Sequence, residues 1–246
     1  MSYLSQVCSG LVLNTELEKE PLLKSLICAN GMKLLRYADE NKGIQLTKSK
    51  AMFRKCVTWA VEEFMWPGYE PEELYRLNRV LNEHDFPPIA IMHELLIAAR
   101  LMRHFKGKAV LTKSGLQVLG DYNALQIVLF ETWFTQFEFA FCERFDMPEI
   151  AGGNDYGHFF GVISNRASAR VSLTDLTRWC IPVDMISQYH TSPLDEACWH
   201  LSSRLIRPLN WLGLLAVDRG DRLSPFNEQL IRKTPLFDEF LGFSNI

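Results

Sequence analysis

Apolar residues fall at three- and four-residue steps along PPIAIMHELLIAARLM. Ile89, Met92, Leu95, Leu96, Ala99 and Met102 make one stripe when the segment is wound into a helix. From Leu101 to Leu111 the spacing changes and predicts two short strands about a Lys106-Gly107 turn, where glycine supplies the positive φ of a tight hairpin. Thr112 then stands where a helix needs a cap, its hydroxyl accepting an N–H that the first turn leaves unbonded. Similar signals occur earlier: an apolar helical pattern opens near Pro21, Lys42-Gly43 follows it, and Leu46-Thr47 comes next, with Thr47 as the expected cap. The tetrapeptide Leu-Thr-Lys-Ser thus occurs twice, at 46–49 and 111–114. A weaker third copy opens near Pro193 and continues through Arg219-Gly220 to Leu223-Ser224, with Pro225 reinforcing the helix start.

Two connectors separate these stretches. The first begins at the Pro67-Gly68 turn and predicts a short amphipathic helix with Leu74, Leu77, Val80 and Leu81 on one face. The second begins at MPEIAGGNDYGHF, where Gly152-Gly153-Asn154 breaks structure and marks the expected domain boundary. Beyond it, Leu173-Thr174-Asp175 is a helix start without the preceding basic-glycine turn, and counts as a cap and not as a further repeat. In FETWFTQFEFAFCERF, residues 130–145, Phe130, Phe134, Phe137 and Phe141 follow one helical face, while Trp133, Phe139 and Phe145 fall off it. So broad an apolar surface predicts a core helix, with a dimerisation helix as the alternative.

Helix, two-stranded hairpin and capped helix, with the second strand running into L-T-x-x-G, resemble a winged-helix module, the helix-turn-helix variant whose hairpin is the wing. The resemblance implies a mainly α protein with short β-hairpins, built from tandem winged-helix-like modules. Two modules fall within 1–150, at about 20–65 and 86–145, joined by a short helical connector; residues 151–246 hold a connector and a third module. The first copy is partial, because Lys50 stands where the second has Gly115. The duplicated units also loosely resemble uncharacterised bacterial proteins, some carried on plasmids, a likeness that implies no activity.

Composition narrows the classes. Of the 246 residues 48% are hydrophobic and 22% charged, with 16 Phe and 6 Trp, enough to build a sizeable core. The formal net charge of -3 provides no global field for nucleic acid or an acidic membrane, so polyanion binding requires a local basic patch. The six cysteines have no paired spacing and apolar neighbours, which predicts buried thiols in a reducing cytoplasm. No apolar run approaches the roughly 18 residues that span a bilayer, and no membrane partner is expected.

Candidate chemistry is sparse. His93-Glu94 would need a second histidine one turn on for a metalloprotease site, and residue 97 is Ile. Glu83-His84-Asp85 is expected as a solvated loop before Pro87-Pro88. Cys180, His190, Cys198 and His200 lack the close pairs of a zinc module and are expected as buried thiols and ordinary histidines. Asp155-Tyr156-Gly157-His158, after the Gly-Gly pair, is the loop most like an active site. No phosphate loop, dinucleotide fingerprint or nucleophile elbow occurs, so neither a catalytic residue nor a metal or other cofactor is assigned.

Binding is better supplied. The second module carries Arg100, Arg103, His104, Lys106, Lys108 and Lys113 with no acid among them; the first adds Lys42, Lys48, Lys50, Arg54 and Lys55. Arg204 and Arg207 are the basic residues of the third, beside Ser202, Ser203 and Asn210. Lysines and arginines on wings and helix starts are suited to DNA phosphates. The helix before the second wing offers only His93, Glu94 and Arg100 to read bases, which lowers sequence-specific reading. The expectation is a non-catalytic DNA-associated regulator binding double-stranded DNA through basic wings. The alternative is a protein-interaction adaptor, or a homodimer, using the same modules; an enzyme centred on Gly152–His158 comes third.

Overall fold

Ser25 starts the first long helix, α1 (Leu26–Glu40), its hydroxyl accepting the Cys28 N–H at 3.1 Å. Ile27, Met32, Leu34, Leu35 and Ala38 form its buried face. The helix belongs to the first of two units into which the computed structural model divides, residues 22–137 on one side and residues 1–21 with 138–246 on the other. The structure describes Cys8 and residues 10–136, 156–189, 192–218 and 228–243. Strand β1 (Leu11–Leu13) belongs to the second unit.

In the first unit, α1 leads to strand β2 (Ile44–Gln45), α2 (Arg54–Phe64), α3 (Pro71–Leu77), α4 (Pro87–Ala98), the hairpin β3 (Met102–Phe105) and β4 (Lys108–Leu111), α5 (Lys113–Gln117) and α6 (Tyr122–Thr135). Helices α1, α4 and α6 pack together, with Met92, Leu95, Leu96, Leu125, Leu129, Phe130 and Trp133 almost wholly buried. Of the predicted 89–102 stripe, Ile89, Met92, Leu95 and Leu96 are buried on α4, Ala99 is half-buried past its end and Met102 is buried on β3. Ile91 and His93 are buried beside the stripe, so α4 is covered round most of its circumference. The expected hairpin is present. Lys106 and Gly107 both adopt positive φ (47° and 74°), the signature of a tight two-residue turn whose twist matches its strands.

The antiparallel sheet has the order β2-β4-β3. Ile44 pairs with Ala109 and Gln45 with Lys108, so the 20–65 and 86–145 stretches contribute strands to one sheet in one unit. The first basic-glycine pair does not turn a hairpin. Lys42 (φ 51°) and Gly43 (φ 98°) close the C-terminus of α1, the Gly43 N–H donating to the Ala38 carbonyl at 2.7 Å.

The two LTKS copies also diverge. Thr112 caps α5 as expected, accepting from Gly115 N–H at 3.0 Å. Thr47 does not cap a helix: it closes the 47–51 turn, accepting the Ala51 N–H at 3.1 Å, and α2 starts only at Arg54. The reason is Lys50, which at φ 66° turns the chain back where Gly115 lets the helix begin. The connector helix is likewise shorter than predicted. It ends at Leu77, leaving Leu77 75% and Val80 46% exposed while Leu74 and Leu81 are buried.

The second unit runs through α7 (Tyr156–Arg166), β5 (Val171–Ser172), α8 (Leu173–Cys180), α9 (Pro193–Leu201), a π-helical turn Ser202–Ile206, α10 (Arg207–Trp211), β6 (Leu215–Asp218), β7 (Leu230–Lys233), α11 (Pro235–Phe240) and β8 (Leu241–Phe243), which pairs with β1. Its three-stranded sheet has the order β5-β7-β6, the pattern of the first unit. Ser172, and not Thr174, caps α8, and the Leu173 N–H donates to Gln229 O just as the Leu46 N–H donates to Gly107 O. Arg219-Gly220, Leu223-Ser224, Phe137, Phe139, Phe141, Phe145, Cys142, His190 and Gly152–Asp155 lie outside the described residues.

The counterpart of LTKS in this unit is Lys233-Thr234-Pro235. Thr112 N–H donates to Leu101 O at 3.0 Å and its hydroxyl to Arg100 O at 2.7 Å; Thr234 N–H donates to Leu214 O at 3.0 Å and its hydroxyl to Gly213 O at 2.7 Å. Each clasp ties the second hairpin strand to the end of the helix before the hairpin.

In the first unit the clasp leaves no room beside it. A Cβ on Gly115 would lie 2.1 Å from the Leu101 carbonyl oxygen, a backbone atom that cannot swing aside. Gly115→Ala is therefore expected to destabilise the protein by roughly 2 kcal/mol or more, read as a lower denaturant midpoint, whereas Ser114→Ala should change it little. Buried His200 provides a second check. Its Nδ1 meets the Tyr189 hydroxyl at 2.8 Å and its Nε2 has no hydrogen-bond partner among the described residues, while burial, with Arg204 adding to it, pushes its pKa down to about 4. A depressed histidine pKa means that the unfolded chain binds the proton better. Stability should then be full above the unfolded value of about 6.5 and fall as pH drops toward 4, by up to about 3 kcal/mol, with His200→Leu flattening the profile.

Candidate functional site

The first unit gathers most of the sequence-predicted basic residues. Lys42 is exposed at the end of α1, and its carbonyl accepts Lys108 Nζ at 3.2 Å across the sheet. Arg103 and Lys106 are exposed on the hairpin, their charged groups 5.1 and 5.2 Å from the Phe105 ring centroid. Arg100 (φ 55°) and Lys113 are exposed on either side of the Thr112 clasp. Lys48 sits in the 47–51 turn; Arg54 and Lys55 form the first turn of α2, where no side chain caps the helix. Arg54 Nε donates to Asn82 Oδ1 at 3.0 Å. Turn and helix start border an open cavity of about 550 Å³ lined by Thr47, Ser49, Met52, Arg54, Lys55 and Glu83.

Arg204 and Arg207 do not join this group. They lie in the second unit, both half-buried, on the π-helical turn and at the start of α10. Three cations of that unit are matched by acids: Lys233 with Asp238 at 2.7 Å, Arg170 with Asp218 and Arg178 with Asp175, each at 3.9 Å.

The expected solvated loop at 83–85 is a correction. Glu83 is 7% exposed: one carboxylate oxygen accepts the Met52 N–H, and the other meets His93 Nδ1 at 2.6 Å. His93 Nε2 in turn lies 2.9 Å from His104 Nε2 on β3. The ring centroids are 5.1 Å apart, so the imidazoles meet nearly head-on at hydrogen-bonding distance. Among the described residues no group of three or more His, Cys, Asp or Glu side chains is arranged to hold a metal ion. His104 is held below the usual histidine pKa, chiefly by desolvation and then by His93 and Lys50, against the opposing pull of Glu94 and Glu83. At the surface end of the same turn, Asp85 accepts the Asn82 N–H at 2.8 Å, and that bond lowers its carboxyl pKa.

Sequence reasoning missed this chain because its members come from three elements with no spacing rule between them. The weak signal was a histidine beside the apolar stripe, within the otherwise apolar α4. The cysteines conform to expectation: all five described are buried free thiols, with Cys28, Cys56 and Cys180 pushed up to about 12 by burial. Of the Gly152–His158 loop, Tyr156–His158 form the first turn of α7.

The family model described as the Y4jL N-terminal domain matches residues 23–124, which lie within the first unit. The uncharacterised protein y4jL of Sinorhizobium fredii (strain NBRC 101917 / NGR234) is 31% identical over 164 residues, covering 66% of this chain and 70% of that protein. The chain belongs to the y4jL family. It is a family of uncharacterised bacterial proteins. No solved structure matches. Among the described residues no helix is long and apolar enough to cross a membrane.

In this member of the y4jL family the Glu83–His93 pair joins the 47–52 turn to α4, at 7% and 2% exposure. Removing one partner of a buried pair leaves the other uncompensated. His93→Ala is expected to cost about 3 kcal/mol in chemical denaturation, and the double variant Glu83→Leu/His93→Leu less than the single one.

Proposed function

We propose that residues 22–137 form one winged-helix-like module that holds double-stranded DNA by its phosphates, and that the second unit is a module of the same design. The order helix, strand, three helices, hairpin, in which the short connector helix α3 is interposed between α2 and α4, with strands arranged β2-β4-β3, supports the winged-helix reading; β3 and β4 are the wing. One observation carries the DNA reading. The pairing of β2 with β4 joins the cations of two distant stretches, with Lys108 bonded to the Lys42 carbonyl, on a unit whose hairpin holds no acid between Arg100 and Lys113. The module would act as a clamp on the backbone and not as a reader of bases. The helix before the wing, α4, is buried along most of its length, and its exposed charge, Glu94, repels phosphate.

The adaptor reading keeps one observation in its favour: Met65, just before the connector, and Leu77, at the end of its helix, are 81% and 75% exposed. A partner protein would cover such side chains, whereas phosphates would not.

Fluorescence anisotropy on 20-base-pair duplexes of unrelated sequence separates the two. A backbone clamp binds them within a few-fold of one another, with affinity falling steeply as salt rises. Lys106→Glu with Lys108→Glu should weaken binding at least about 10-fold and flatten the salt slope by about 2. No binding at low salt overturns the reading.

A further inference from the structure

The hairpin tip carries an aromatic ring that the core does not use. Phe105 is the last residue of β3, the edge strand of the sheet, directly before the Lys106-Gly107 turn. Alternation along the strand places Met102 on the inner face, 1% exposed, while Phe105 shares the other face with Arg103 and with Lys108, its cross-strand partner. Phe105 is 47% exposed. Its immediate neighbours are cations: the Arg103 guanidinium at 5.1 Å and the Lys106 ammonium at 5.2 Å from the ring centroid. Lys108 stands opposite in register, and the stretch from Arg100 to Lys113 contains no carboxylate to neutralise them.

An exposed aromatic surrounded by phosphate-directed cations suits an unpaired nucleotide: the ring offers a stacking platform to any base, and the cations take its phosphates. A continuous duplex cannot use the ring in this way, because its bases are already stacked on one another. Resting on the nucleic-acid reading above, we infer that the Phe105 tip binds an unpaired base of single-stranded DNA. The target of the module is then a junction where duplex gives way to single strand. One of the two cations now lying over the ring yields its place to the base and turns to that nucleotide's phosphate. A hairpin stabilised only by its cation–π contacts would have the same tip without any preference among nucleic acids.

The test uses the full chain and three fluorescent DNA probes: a blunt 20-base-pair duplex, the same duplex with a ten-thymidine overhang, and the ten-thymidine strand alone. The overhang probe should bind about 10-fold more tightly than the blunt duplex. Phe105→Leu keeps an apolar strand residue but no stacking surface. It should bring the overhang probe down to the blunt-duplex level while changing blunt binding less than about twofold, and Phe105→Trp should restore the preference. Thermal melting of each variant establishes that the hairpin still folds. If wild type binds blunt and overhang probes equally, or Phe105→Leu binds the overhang probe as tightly as wild type, the inference is overturned and the backbone clamp stands. If wild type binds no probe at low salt, both fall together.

Discussion

Two residue pairs, Ile44 with Ala109 and Gln45 with Lys108, hold the first unit in the form it has. Closing so long a stretch of chain costs entropy, and a two-residue strand cannot offset that by its hydrogen bonds alone. The compensation is burial. Ile44 is 2% exposed and Ala109 fully buried, and helices α1, α4 and α6 pack together with Met92, Leu95, Leu129 and Trp133 buried. Once β2 is seated, the end of α1 has little freedom: a side chain at Gly43 would meet Val110 Cγ1 at 2.7 Å. The cations of two distant stretches are therefore held together by a strand pair that itself carries little energy.

The Thr112 and Thr234 clasps do for each hairpin what β2 does for the sheet. A hairpin of four-residue strands is marginal alone. Here its outgoing end is bonded through both a backbone N–H and a hydroxyl to the carbonyls that end the preceding helix, in both units and at nearly equal distances. Each hairpin is thus tied directly to the helix before it. The clasp and the strand order are common to the two units, which show little resemblance along the chain.

The same plan carries different chemistry in the two units. In the first, basic side chains cover the hairpin and the start of α2, and the buried Glu83–His93 pair links the 47–52 turn to α4 and, through the exposed His104, to β3. In the second, the Lys233, Arg170 and Arg178 charges are matched by carboxylates, and its buried histidine, His200, bonds a tyrosine hydroxyl. Electrostatics therefore distinguishes the units where topology does not, and it directs the functional reading to the first.

What was legible in the chain was local. The α4 stripe, the Lys106-Gly107 turn and the Thr112 cap follow from periodicity, positive φ and hydroxyl capping, each decided within a few residues of neighbours. Leu-Thr-Lys-Ser shows where that legibility stops: one copy caps a helix and the other closes a turn, because Gly115 and Lys50 differ one step beyond the shared tetrapeptide. Lys42-Gly43 and Lys106-Gly107 both take positive φ, yet one ends a helix and the other turns a hairpin. By itself the sequence determined the α4 helix, the Lys106-Gly107 hairpin and the Thr112-capped helix of the first unit, and where its basic residues fall along the chain. Only the tertiary structure decided that β2 joins β4, that Glu83 is buried against His93, and that Thr234 is the counterpart of Thr112. Those outcomes depend on contacts between residues far apart in the chain, where burial and loop closure, and not local conformational preference, set the free energy.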